Sequence, residues 1–161
     1  MIVVSNTSPL TNLAAIGQFA LLHDLYGTIQ IAQEVWEELN AFGHSWPGSR
    51  EVANASWITQ TQVTNQELIL ALRRDLDRGE AATIALAVEL KANLVLLDEQ
   101  DGRRAAQRMG LRPFGVLGIL LEAKKQGHVS VVKPLVEELR QTAGFYLSDA
   151  VYQSVLNLAQ E

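Results

Sequence analysis

The chain has 161 residues, a hydrophobic fraction of 48%, a charged fraction of 19% and a net charge of −5. This length is most simply one domain, residues 1–161, with enough apolar side chain for a sizeable core, and the acidic balance argues against polyanion binding over the whole surface. With no cysteine there is no disulfide framework, thiolate metal site or Cys nucleophile, which fits a reducing cytoplasm.

Met1-Ile2-Val3-Val4 reads as entry into a strand ending at Ser5, without the pattern of a secretory leader. Asn6-Thr7-Ser8-Pro9 then opens a helix, with Ser8 as N-cap and Pro9 at the first helical position. Gly17 ends that helix, Phe19 to Leu25 form a second, and Gly27 turns the chain into a strand over Thr28–Ile31. Gln33 to Phe42 read as a helix whose stripe is Val35, Leu39 and Phe42. Glu38 lies on that inward stripe, whereas Glu37 points to solvent. Gly43 to Ser49 form a loop, and Trp57 to Gln60 a short edge strand. Asn65 to Leu76 are helical, Asp77 to Glu80 break that helix and begin a very apolar one running to Lys91. Leu94-Val95-Leu96-Leu97 is an unbroken apolar run of the kind found in a strand buried on both faces. Gly102 to Met109, Gly115 to Lys125 and Val131 to Thr142 read as helices, with a brief strand at Arg112–Phe114. Phe145 to Leu147 read as a last short strand, and Ser148 caps a C-terminal helix through Leu158. Strands alternating with helices predict an α/β fold with a mainly parallel sheet. No apolar run approaches the roughly 18 residues of a membrane span.

In open parallel sheets, ligands bind beyond the carboxyl ends of the strands. Asp98 follows the Leu94 strand and Asn6 follows the first. The helix from Glu80 to Lys91 descends roughly 16–18 Å at 1.5 Å per residue. The strand climbing back to Asp98 spans about 13–16 Å, so Glu80 and Asp98 return to one level. Glu38 follows the second strand by less than two turns and leans back toward the same edge. Asn6, Glu38, Glu80 and Asp98 are therefore expected to converge, with Asp101 or Glu99 nearby. Gathered carboxylates repel one another, and hard oxygen donors without His or Cys suit Mg²⁺ or Mn²⁺.

Simpler roles exist for each residue. Asp77 and Glu80 have the spacing of a capping box. Asp98 and Asp101 are each placed to cap the helix that follows, and Asn6 to bond the turn at Thr7 and Ser8. His23, His44 and His128 lack metal-pair spacing, and Ser5, Thr7 and Ser8 have no neighbouring His for a hydrolase triad. Ten of the 13 Lys and Arg residues fall between Arg73 and Lys125, so a local basic rim beside the acidic edge is expected alongside ordinary solvated helix faces.

Ser5-Asn6-Thr7-Ser8-Pro9-Leu10, Glu34-Val35-Trp36-Glu37-Glu38-Leu39, Gly79 to Ala87 and Leu94 to Asp101, in that order, resemble the PIN-domain family of metal-dependent ribonucleases. A prokaryotic branch of the family is also similar at Gly102 to Ala106 and Gly115 to Lys124. The resemblance implies a three-layer α/β/α fold with a central, mainly parallel sheet. It implies a site for Mg²⁺ or Mn²⁺ and hydrolysis of RNA phosphodiesters. Many relatives are toxins inhibited by a small antitoxin protein, and homodimers are usual. Glu38, Glu80 and Asp98 fall on the family's acidic positions. Asn6 stands where most members have Asp, which removes one negative charge. Thr7 and Ser8 supply hydroxyls beside it.

The resulting expectation is a cytoplasmic metal-dependent endoribonuclease, the toxin of a toxin–antitoxin pair. Glu80 and Asp98 hold the metal, Glu38 holds the metal or its water, Asn6 orients that water, and Arg103 and Arg104 contact substrate phosphates. The alternative is a binding module whose catalysis is weakened by Asn6. A phospho-receiver domain with Asp98 as acceptor shares the fold class but needs an acidic pair after the first strand, which Ser5-Asn6 does not supply.

Overall fold

A computed structural model describes residues 1–41 and 46–161. In chain order the elements are β1 (Val3–Ser5), α1 (Thr7–Ala15), α2 (Ala20–Tyr26), β2 (Ile29–Ala32), α3 (Gln33–Asn40), α4 (Ser49–Asn54), β3 (Ile58–Thr61), α5 (Gln66–Leu72), α6 (Arg78–Leu90), β4 (Leu94–Leu96), α7 (Gln100–Arg108), β5 (Pro113–Phe114), α8 (Val116–Lys125), α9 (Lys133–Gln141) and α10 (Asp149–Leu158). The strands form one sheet in the order β3-β2-β1-β4-β5, and every pairing is parallel. Helices flank this sheet in a three-layer α/β/α arrangement. Among the described residues, no helix is long and apolar enough to cross a membrane.

The order has a physical logic. Central strands must be apolar on both faces, and Val3, Val4, Val95, Leu96 and Leu97 are almost fully buried. The edges go to weaker sequences: β3 is half-exposed, and β5 begins with Pro113, which cannot donate to a ladder and is tolerated at an edge. α6 packs across β1, β2 and β4 and between α3, α5 and α7. A helix so surrounded must be apolar nearly all round, which is why it buries a continuous run from Gly79 to Ala87.

Several expected boundaries move. The N-cap of α1 is Asn6, not Ser8; Pro9 lies within the first turn, where N–H groups have no intrahelical partner to lose. Ser8 is thereby freed for a tertiary bond described below. Helix α3 ends at Asn40, and Phe42, its expected end, lies outside the described residues, as do residues 43–45 of the expected Gly43–Ser49 loop, His44 among them. Ser49 opens α4 rather than closing that loop. Helix α5 stops at Leu72, and Leu76 is buried from the turn that follows. Helix α7 starts at Gln100 with Glu99 in the cap position, so Asp101 sits inside the first turn instead of capping it. Residues 145–147 are not a strand. The N–H of Phe145 closes the end of α9 by donating to Leu139 O at 2.9 Å, and the carbonyl of Leu147 accepts from Arg140, so neither is left for a ladder. Ser148 caps α10 as expected, its Oγ accepting from Val151 N–H at 3.2 Å.

Leu96 is fully buried in the strand that carries Asp98. Leu96→Ala should lower unfolding stability by about 2–5 kcal/mol, as for other buried Leu truncations. Urea denaturation checks this, and a loss below about 1 kcal/mol would show that the sheet is not packed as described.

Candidate active site

The strand order reverses between β1 and β4, and the carboxyl ends of these two strands bound the resulting crevice. Ser5 pairs with Leu96, and the Asn6 N–H donates to Leu96 O at 3.0 Å. Asn6 and Asp98 therefore emerge on either side of the same crevice. Buried Glu80 enters at the start of α6, and Glu38 from the second turn of α3.

These side chains reach one edge but settle into separate hydrogen-bonded groups. Asp98 Oδ1 accepts from Val116 N–H at 2.7 Å, and Oδ2 from Ser8 Oγ at 3.0 Å. Asn12 donates to Ser8 Oγ at 3.1 Å. Asp98 thus caps α8, eighteen residues onward, instead of the helix that follows it. Glu38 Oε2 accepts from Thr7 Oγ1 at 2.8 Å. Asn6 Oδ1 lies 3.4 Å from Thr83 Oγ1, whose shorter bond is to Gly79 O at 2.8 Å. Glu80 completes the capping box: its N–H donates to Asp77 Oδ1 at 2.8 Å, and its Oε1 accepts from Asp77 N–H at 3.4 Å. Glu80 Oε2 is buried and has no hydrogen-bond partner.

Three glycines keep this edge open. A Cβ on Gly79 would collide with Glu38 Oε2 and lie 3.5 Å from Asn6 Oδ1. One on Gly102 would lie 2.9 Å from Glu80 Oε2. One on Gly115 would lie 2.7 Å from Arg103 Nη1 and 3.1 Å from Asp98 Oδ1. Two surface openings result. One, of about 430 Å³, is lined by Ser8, Asn12, Asp98, Glu99 and residues 143–146. The other, of about 310 Å³, is lined by Glu34, Glu37, Glu38, Ala41, Asp77, Arg78 and Gly79.

The second opening contains a residue that sequence reasoning passed over. Glu34 is buried, and its Oε1 has no partner. Its signal was its position one turn before Glu38, which puts both carboxylates on one helix face and makes them repel. Asn12 was also missed, although it lies one turn after Ser8, and Thr83 was hidden within an apolar helix. Glu37 does face solvent, paired with Arg78 at 2.6 Å, but Glu38, expected on the inward stripe, is exposed as well and is drawn aside by Thr7. Asp101 and Arg104 are exposed on α7. Arg103 folds back, its Nη1 3.4 Å from Leu97 O.

Burial dominates the electrostatics. It pushes the Glu80 carboxyl up from 4.5 to about 7, with the side chain and charge of Asp77 and the charge of Glu99 adding to the rise and the Asp77 N–H opposing it. Burial also raises Asp98, opposed by the donors Val116 N–H, Ser8 and Asn12 and by the Arg103 charge. Among the described residues, no three His, Cys, Asp or Glu side chains form a ready-made metal cluster. The donor chemistry nevertheless fits a hard divalent cation: all candidate ligands are oxygens, and Glu80 presents a buried oxygen with nothing bound to it.

Since the fold favours neutral Glu80, ionising it weakens the folded state. Its contribution is fully present below pH 4.5 and is lost as pH rises toward about 7. The melting temperature of metal-free protein should therefore fall over that interval more steeply in the wild type than in Glu80→Gln. Equal slopes would contradict a buried, strained Glu80.

No curated protein matches the chain. A family model described as a PIN domain matches residues 2–161. PIN domains are generally nucleases and generally use divalent metals. The match spans nearly the whole sequence, and the three-layer fold agrees with it, so the chain belongs to the PIN-domain family.

Proposed function

We propose that this chain is a divalent-metal-dependent endoribonuclease, the toxin of a toxin–antitoxin pair. The observation that carries the reading is Glu80 Oε2, a buried, unpartnered carboxylate oxygen beside Gly102 of α7. Isolated buried charge is costly unless protonated or matched by a cation, and membership of a nuclease family supports the second solution. Glu80 and Asp98 would hold Mg²⁺ or Mn²⁺, and Glu38 would hold the ion or its water. The bound ion would supply charge neutralisation at the phosphate and acidify water.

The chain's own residues do the rest. Asn6, fixed by its backbone bond to Leu96, offers an amide oxygen that orients the attacking water. Thr7 holds Glu38, and Ser8 and Asn12 hold Asp98, so neither carboxylate swings away. Arg103 lies beside Asp98, and exposed Arg104 lies on the same helix, both able to meet a substrate phosphate. The partners of this reading are RNA, a small antitoxin and a second copy of the chain, in the cytoplasm.

A second reading rests on Asn6 itself. An amide in place of a carboxylate lowers the charge available to a cation, and no preassembled acidic triad is present among the described residues. On that reading the chain is a binding module with weakened catalysis.

Cleavage of a mixed RNA pool with Mn²⁺, Mg²⁺ or EDTA separates the two. The nuclease reading expects metal-dependent cleavage that falls by more than about a hundredfold in Asp98→Asn, beyond the usual effect of losing an outer-shell partner. Cleavage surviving in that variant would rule out the proposed centre. Asn6→Asp should lower the Mn²⁺ concentration for half-maximal activity by about tenfold. Activity appearing only in Asn6→Asp would favour the binding module.

A further inference from the structure

The larger acidic opening has a second wall that the proposed chemistry does not use. It is made by residues 143–146, between α9 and α10, opposite Ser8, Asn12, Asp98 and Glu99. Its backbone is fastened at both ends. Gly144 takes a φ of +68°, a conformation that favours glycine. Phe145 packs against the core while its N–H holds Leu139 O at 2.9 Å. Leu147 is buried, and its carbonyl accepts from Arg140 Nη2 at 2.7 Å; the same guanidinium lies 4.7 Å over the Tyr152 ring. Phe145 and Leu147 thus point inward, and Tyr146 between them is left 88% exposed.

An aromatic ring held out by an anchored loop does nothing for the core. Among the described residues, it is the exposed large apolar side chain that lines the Asp98 opening. The volume, about 430 Å³, is in the range of small-ligand sites. Without a bound cation, Asp98 and Glu99 disfavour a phosphate against the ring, whereas a neutral base can lie on it. We propose that Tyr146 is a base-stacking residue that positions one unpaired nucleotide of single-stranded RNA beside Asp98. The inference rests on the nuclease reading for its substrate class, but its energetic basis is the stacking surface alone, since every base has a π-face.

The test uses a short fluorescent single-stranded RNA and the wild type, Tyr146→Ala, Tyr146→Phe and Tyr146→Trp. Equilibrium binding in EDTA reads stacking without cleavage, and kcat and KM in Mn²⁺ read its use in turnover. Tyr146→Ala should weaken binding and raise KM by about tenfold, the usual loss for one stacked base, with kcat within about twofold because the ring holds a base and does not touch the reacting phosphate. Phe and Trp should preserve binding and KM. Placing one abasic nucleotide at the stacked position should cost the wild type as much as Tyr146→Ala and cost the Ala variant little further. Because the side chain is so exposed, the melting temperature should not move. Equal binding by wild type and Tyr146→Ala, or a Phe variant as weak as Ala, would overturn the proposal while leaving the nuclease reading intact. Binding that depends on the ring in a protein that never cleaves would support Tyr146 and remove the nuclease instead.

Discussion

Asp98 is a partly buried carboxylate at the end of a central strand, and a charge withdrawn from water must be matched by donors or neutralised. Here the matching groups come from three places in the chain: Ser8 on α1, the N–H of Val116 at the start of α8, and the charge of Arg103 on α7. One side chain therefore ties the first crossover to the second half of the fold. The helix-terminal N–H is an especially suitable partner, because it is otherwise orphaned and lies at the positive end of the helix dipole. Without Asp98 these elements would lose a common anchor; with it, the crevice between β1 and β4 has a fixed acidic floor.

Glu80 presents the opposite situation. Its capping box with Asp77 serves the start of α6, so a local helix rule and a tertiary site share one residue. One oxygen is spent on the cap and the other is buried with no donor. The two carboxylates thus divide their roles by environment: Asp98 is held by hydrogen bonds, and Glu80 remains available for a proton or a cation. Gly102 keeps the space beside that free oxygen, as Gly79 does for Glu38 and Gly115 for Asp98 and Arg103.

The acidic edge is not one bowl. Thr7 draws Glu38 toward α1, and Glu34 joins it in the smaller opening, while Asp98 faces the larger one under the residue 143–146 wall. Asn6 stands between these groups with an amide that adds no charge. The resulting geometry gives Asp98 and Glu38 their own donors, and it leaves Glu80 Oε2 and Glu34 Oε1 buried without partners.

Much of this was legible beforehand. Apolar runs at Val3 and Leu94 identified the central strands, because only a strand covered on both faces is so uniformly apolar. The Asp77–Glu80 spacing predicted the cap. These are local rules, and local rules can be read from neighbours in the chain. What the tertiary structure alone decided lies in contacts distant in sequence. Ser8 turned from a helix cap into a ligand of Asp98, ninety residues away. Asp98 capped α8 instead of α7, and residues 145–147 became a pinned loop wall in place of a strand because Leu139 and Arg140 took their backbone groups. Glu34 and Asn12 were each one helical turn from a recognised residue, but periodicity assigns a face and not what that face meets. Sequence could name most of the acidic residues; only packing could say which oxygens found partners and which did not.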